Sequence, residues 1–267
     1  MGDMAAKHVG LGVATLELDG TSYLGRGTNF SADHAADSER VQGFGDTYTI
    51  AQILGRSHRF TFDLMEDASG SRKADPFSVS ALSMDGNNVL ALVENFSLDV
   101  AVPVDDNGGM SDFHAVAQVV GARAVTGTAT MKILQSALSS QFLVDANSAT
   151  PADNGWAFSL NPGFGGGPLT LNVVQQGVGK VVNRDTFHRL NVAFEGADAP
   201  SAVPSTGLIG TIFGDCLFTV NIDTGAGVYS CVAVAERYNL VVARRQVQRQ
   251  TLTVMTQGAP GYAATTP

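Results

Sequence analysis

Asn95-Phe96-Ser97-Leu98-Asp99-Val100 alternates apolar and polar side chains, which places Phe96, Leu98 and Val100 on one face of an extended chain. The same period of two recurs in Phe60-Thr61-Phe62-Asp63-Leu64, in Leu169-Thr170-Leu171-Asn172-Val173 and in Thr251-Leu252-Thr253-Val254. Further strands are expected over 9–18, 47–54, 76–84, 113–120, 125–132, 187–194, 216–222, 227–235 and 238–243. Asp-Gly at 19–20 and 85–86 and the run Asp223-Thr224-Gly225 mark turns between them. The strongest helical pattern is Met131 to Val144, where Ile133, Leu134, Ala137, Leu138, Phe142 and Leu143 recur near helical spacing. The class is mainly β, with one or two short helices.

The opening stretch has a twin. Asn29–Gly55 aligns with Asn95–Gly121 without a gap, and 10 of the 27 positions are identical, among them Asn29/Asn95, Ser31/Ser97, Asp33/Asp99 and Gln52/Gln118. Ile50/Val116, Ile53/Val119 and Leu54/Val120 keep the apolar pattern. Alternation alone does not require the polar identities, so the pair is read as a duplicated strand–loop–strand unit. Past Gly55 the match persists as strand character, with Phe60-Thr61-Phe62 set against Thr126-Gly127-Thr128.

Composition narrows the partners. The 267 residues are 44% hydrophobic but only 15% charged, and 30 Gly and 9 Pro suit many short strands and turns. Net charge is −9, from 25 acids, mostly Asp, against 16 scattered bases. A basic stripe, which duplex binding draws on, is missing from the sequence. No stretch approaches the ~18 apolar residues of a spanning helix, and Met1–Gly10 has no long apolar run. A soluble chain made in a reducing cytosol is therefore expected, without a membrane partner.

Searches for chemistry end in structural readings. Asp223-Thr224-Gly225-Ala226 resembles an aspartic-protease signature, but such enzymes need two carboxylates sharing a proton, and these residues also suit a hairpin turn. Gly177-Val178-Gly179-Lys180 lacks the spacing of a phosphate loop, because Val174 and Val181 occupy the required positions. His8, His34, His58, His114 and His188 are far apart in sequence and are expected mostly at the surface. Cys216 and Cys231 flank the Asp223 hairpin and could face each other across two strands. No catalytic set, cofactor or metal is expected, and the chain is not read as an enzyme.

Loop-like composition near 145–155 suggests an N-terminal β region over 1–148, a second β-rich region over 149–258 and a loose tail over 259–267. The order strand, Asp-bearing loop through Asp105, Asp106 and Asp112, strand to Gly121, then Val125-Thr126-Gly127-Thr128-Ala129-Thr130 resembles bacteriophage tail tube proteins. The first repeat offers a degenerate version, and Tyr238–Gly258 is similar to the strands that close such domains. The resemblance implies a sandwich or barrel-like β domain whose sheets join into a ring. Stacked rings would form a channel that genome DNA passes without specific binding, in a virion tail assembled with other tail proteins in the host cytoplasm. Other phage structural β proteins, such as capsid decoration or baseplate components, and carbohydrate-binding β modules share the same features. The loops Asp33–Asp46 and Asp99–Asp112 are long for hairpins. Their carboxylates Asp33, Asp37, Asp46, Asp99, Asp105, Asp106 and Asp112 are the candidate subunit contacts, and an acid excess is expected on the channel wall.

Overall fold

A computed structural model describes residues 15–23, 27–41, 50–65, 79–109, 112–132, 142–145, 155–162, 166–182, 188–225, 227–244, 246 and 248–264. The strands are β1 (Thr15–Leu18), β2 (Thr21–Ser22), β3 (Gly27–Val41), β4 (Ile50–Met65), β5 (Ala81–Met84), β6 (Asn87–Asn88), β7 (Val93–Ala101), β8 (Val104–Asp106) and β9 (Ala117–Val119). They continue as β10 (Ala124–Lys132), β11 (Gly155–Asn161), β12 (Leu169–Val181), β13 (Arg189–Gly196), β14 (Leu217–Asp223), β15 (Gly227–Ala243), β16 (Arg249–Thr256) and β17 (Gly261–Ala264), and the helix α1 (Gly207–Phe213) precedes β14. The strands pair antiparallel, which confirms the mainly β class.

Eight of these strands make a continuous wall in the order β3-β4-β16-β15-β7-β10-β13-β12. Period-two patterning decides its two faces. Phe60, Phe62 and Leu64 of β4 point into the core together with Leu252 and Val254, Leu240 and Val242, Phe96, Leu98 and Val100, and Leu190, Val192 and Phe194. The long strands β12 and β15 each change partners part-way along. The first half of β15 pairs with β14 and its second half with β7. A bulge at Ala235/Arg237 marks the change, and β12 carries one at Gln175/Gly177. Extra residues of this kind bend and twist a strand, so one strand can serve two packed layers.

The duplication is visible in the registers. Ser38↔Ile53, Glu39↔Gln52 and Arg40↔Ala51 of the first hairpin become Val104↔Val119, Asp105↔Gln118 and Asp106↔Ala117 when 66 is added to every number, and those are the pairs observed. β1, β2 and the Asp19-Gly20 turn map by the same step onto β5, β6 and Asp85-Gly86. Beyond Gly121 the step is 67: Phe30↔Phe62 corresponds to Phe96↔Ala129. The expected match of Phe60 with Thr126 is therefore corrected. A slip of one residue exchanges the faces of a strand, and buried Phe60 corresponds to buried Gly127.

The second half of the chain repeats as well. β12 and β13 map onto β15 and β16 by a step of 60, which carries the bulge at Gln175/Gly177 onto that at Ala235/Arg237. β11 maps onto β14 by 62, since Met84↔Phe158 corresponds to Leu18↔Val220. One copy of the unit thus uses β5–β13 and the other uses β1–β4 with β14–β16. The ladders β5–β11, β10–β13, β1–β14 and β4–β16 all cross the boundary expected at 148/149, so the strands after 155 complete sheets begun before it.

Other expectations change too. Met131 and Lys132 end β10 instead of opening a helix, because Met131 continues the inward row Val125, Gly127, Ala129 and pairs with β7 and β13. Residues 133–141 lie outside the described residues, and 142–145 form a helical turn. The tail expected over 259–267 contributes β17, which pairs with the start of β15. Cys216 does not face Cys231: Cys231 sits opposite Val220, whereas the Cys216 carbonyl accepts from the Ala235 N–H.

Candidate functional site

The first hairpin forms an arm. Its inner part is held by Phe60, Phe62 and Leu64 in the core, with the Phe30 ring 5.5 Å from Phe62 and 5.8 Å from Phe60. From Ser31 to Arg40 and from Ala51 to Leu54 every side chain is exposed, including the apolar Ile53 and Leu54. At its root the arm is tied to the second copy: the Arg56 N–H donates to the Phe113 carbonyl and the Ala115 N–H to the Arg56 carbonyl.

The candidate carboxylates separate into two kinds. Asp33 and Asp37 are strand residues of the arm, opposite Arg59 and Gly55, and both are exposed. The stretch expected as a loop over Asp33–Asp46 is strand as far as Val41, while Asp46 lies outside the described residues. In the second copy the acids are engaged within the chain. Asp99 lies in β7, where Arg237 Nε donates to Asp99 Oδ1 at 2.8 Å, an interaction that raises the Arg237 pKa. Asp106 Oδ1 accepts from the N–H groups of Gly108 and Val116, both at 2.8 Å, and Asp112 Oδ2 accepts from that of Gly109 at 2.7 Å. Asp105 Oδ1 caps the Asp106 N–H. These acids shape the loop as turn residues do, so β7–β10 is interrupted where β3–β4 stays continuous through a bulge at Asp37/Ser38.

Three histidines that are distant in sequence meet at the root of the arm, contrary to the expectation of scattered surface rings. The β3–β4 register sets His34 opposite His58, with their Nδ1 atoms 2.7 Å apart. The bridge between Arg56 and His114 brings His114 Nδ1 to 3.0 Å from His58 Nε2. The two contacts use opposite nitrogens of the buried central ring, so the rings form a chain and share no chelation point. Burial, then the fields of His34, His114 and Arg56, lower the His58 pKa. Equal spacing of His34 and His58 about the hairpin would have signalled the first pair, had β3 been recognised as strand.

Other candidates resolve into structure. Asp223 Oδ1 accepts from the Gly225 N–H at 2.8 Å, which is the hairpin role. Gly177–Lys180 lies within β12. Arg123 donates from Nη2 to the Gly214 carbonyl and toward the Cys216 sulfur, closing the end of α1. Burial pushes the Cys231 thiol up to about 11, which keeps it protonated at neutral pH.

Hydroxyl and amide side chains pair across the polar face of the wall. Thr61 and Thr253 hydroxyls lie 3.3 Å apart, Thr251 donates to Asp63, Ser97 and Thr128 are 2.7 Å apart, and Thr130 donates to Asn191. Cross-strand pairs of this sort stiffen a sheet while leaving its face hydrophilic. Arg59 pairs with Glu236, Arg189 and Lys132 with Glu94, and Arg237 with Asp99.

No family model matches the chain, and no curated protein matches it. Among solved structures, it is similar to a chain of "Virion of native gene transfer agent (GTA) particle", with a TM-score of 0.36 and 10% identity, over 47% of this chain and 95% of that one. It is also similar to a chain of "Tail of empty GTA particle computed with helical refinement, C6 symmetry", with a TM-score of 0.34 and 10% identity, over 43% of this chain and 84% of that one.

Proposed function

We propose that the chain is a virion structural protein, a phage-type tail tube subunit that assembles with copies of itself into stacked rings around a channel for DNA. The observation that carries this reading is the eight-strand wall, whose end strands keep edges that no described residue pairs, β3 along its outer side beyond Gly27 and β12 beyond Gln175. Open edges with a core behind them invite continuation of the sheet into another chain. Such a wall would present its hydroxyl and amide rows to the channel. Four of its bases, Arg59, Lys132, Arg189 and Arg237, are matched in ion pairs. Neutral, hydrogen-bonded rows still suit a conduit, since duplex adhesion needs unpaired cations that release counterions. Other tail proteins would meet the tube at its ends, and the virion tail would be its location.

Negative-stain imaging of the purified protein tests the reading. Rings or tubes with a central channel are expected. A compact monomer at all concentrations would contradict it and favour a monomeric binding module.

A further inference from the structure

The internal duplication specifies how the two open edges are completed. Inside the chain, the two copies of the unit meet where β7 of one pairs with β15 of the other, from Asn95↔Ala243 to Ala101↔Arg237. Each strand has a counterpart: β3 lies 66 residues before β7, and β12 lies 60 residues before β15. Those counterparts are the two end strands of the wall, β3 open along its outer side beyond Gly27 and β12 open beyond Gln175 among the described residues.

We infer that β3 of one subunit adds antiparallel to the second half of β12 in the next copy of this chain, in the register of the β7–β15 ladder. Subtracting the two steps sets Phe30 opposite Val182, Ser31 opposite Val181, Ala32 opposite Lys180, and His34 opposite Val178. Burial supports the match. Val182 is 65% exposed, but its counterpart Val242, covered by β7, is 4% exposed. Phe30 is half-buried, while its counterpart Phe96 is buried beside Val242. The contact is head-to-tail, with different surfaces on the two partners, so repeating it generates a ring or an open helical chain according to whether the rotation closes. Each closed ring would continue the wall with eight strands per subunit and alternate an internal junction with an external one. This deepens the self-assembly reading and needs only a second copy; a DNA channel is not required for it.

Cysteine pairs test the register in the full chain. Directly opposed residues of an antiparallel ladder lie within disulfide reach. Ser31→Cys with Val181→Cys in one chain should give, on oxidation, a ladder of covalent multimers on non-reducing gels. Equal mixing of the two single variants should give a cross-linked dimer, whereas each alone should not. Ser31→Cys with Lys180→Cys, one position out of register, should link at least tenfold less. Circular dichroism confirms that the variants fold. Rings that form without the 31–181 link would overturn this register while leaving the tube reading standing. Efficient linking in particles that never enclose a channel would support the register and overturn the tube. Monomers without links, or links within a single chain, would overturn the inference.

Discussion

Asp19 and Asp85, 66 positions apart, occupy the same corner of the two copies and share a left-handed backbone, with φ of 52° and 49°. Each sends its N–H to the strand that completes its own copy, to the Thr219 carbonyl at 2.9 Å and the Ala157 carbonyl at 2.8 Å. The following glycines, Gly20 and Gly86, have φ of 70° and 73° and open space where a Cβ would stand. The cost of a side chain there is conformational alone. Gly20→Ala and Gly86→Ala should each destabilise the fold by about 1–2 kcal/mol, measured by denaturant unfolding. Unequal effects of more than twofold would contradict the equivalence of the two corners.

The copies exchange large and small residues across the wall. Phe60 sits opposite Val254 in one, and Gly127 opposite Phe194 at the matching place in the other. A methyl group on Gly127 would lie 2.2 Å from Phe194 Cζ. Gly127→Ala should therefore cost about 1–3 kcal/mol through overpacking. Adding Phe194→Leu should recover part of that loss, so the double variant is more stable than the two single effects summed. Simple additivity in a double-mutant cycle would refute the contact.

Acid should weaken the root of the arm. The folded-state pKa of His58 is lowered, so the unfolded chain binds its proton more readily. That contribution to stability is complete above the unfolded value near 6.5 and is lost as pH falls through the lower folded value. Melting temperature should decline from pH 7.5 to pH 5, and the decline should be smaller in His58→Gln. An identical decline in both proteins would rule out the histidine chain as its source.

Removing the exposed end of the arm should spare the core and stop assembly. Replacing residues 38–53 by a short turn removes exposed strand and leaves Phe60, Phe62 and Leu64 in place. The β-rich circular dichroism spectrum should persist while particles fail to form. By contrast, Asp99→Asn and Asp106→Ala, which alter intrachain bonds, should lower stability by about 1 kcal/mol and leave assembly intact. Assembly by the arm-shortened chain would exclude residues 38–53 from the contacts.

The strand content was legible because Phe60, Phe62 and Leu64, or Phe96, Leu98 and Val100, alternate cleanly against a half-buried face. The duplication was legible only where side chains serve turns and hairpin pairing. Its second half is hidden because β12 and β13 preserve bulge and register with few of the residues of β15 and β16. Trp156, Phe158 and Leu160 do alternate in β11, although the preceding Pro and Gly suggest a loop. β3 is polar and rich in acids, and it is a strand because β4 pairs along it. Local propensity yields there to cross-strand hydrogen bonding. Loop length marks the carboxylates as contact candidates but carries no sign of their intrachain bonds, Asp99 to Arg237 and Asp106 and Asp112 to backbone N–H groups of their own loop.

The most direct measurement compares the number of subunits in an assembled ring, from native mass spectrometry, with the number of equivalent lobes in its rotationally averaged image. Two copies of one unit per chain, joined inside and between subunits by the same ladder, predict twice as many lobes as subunits. A ring with one lobe per subunit, or a chain that stays monomeric, would contradict it.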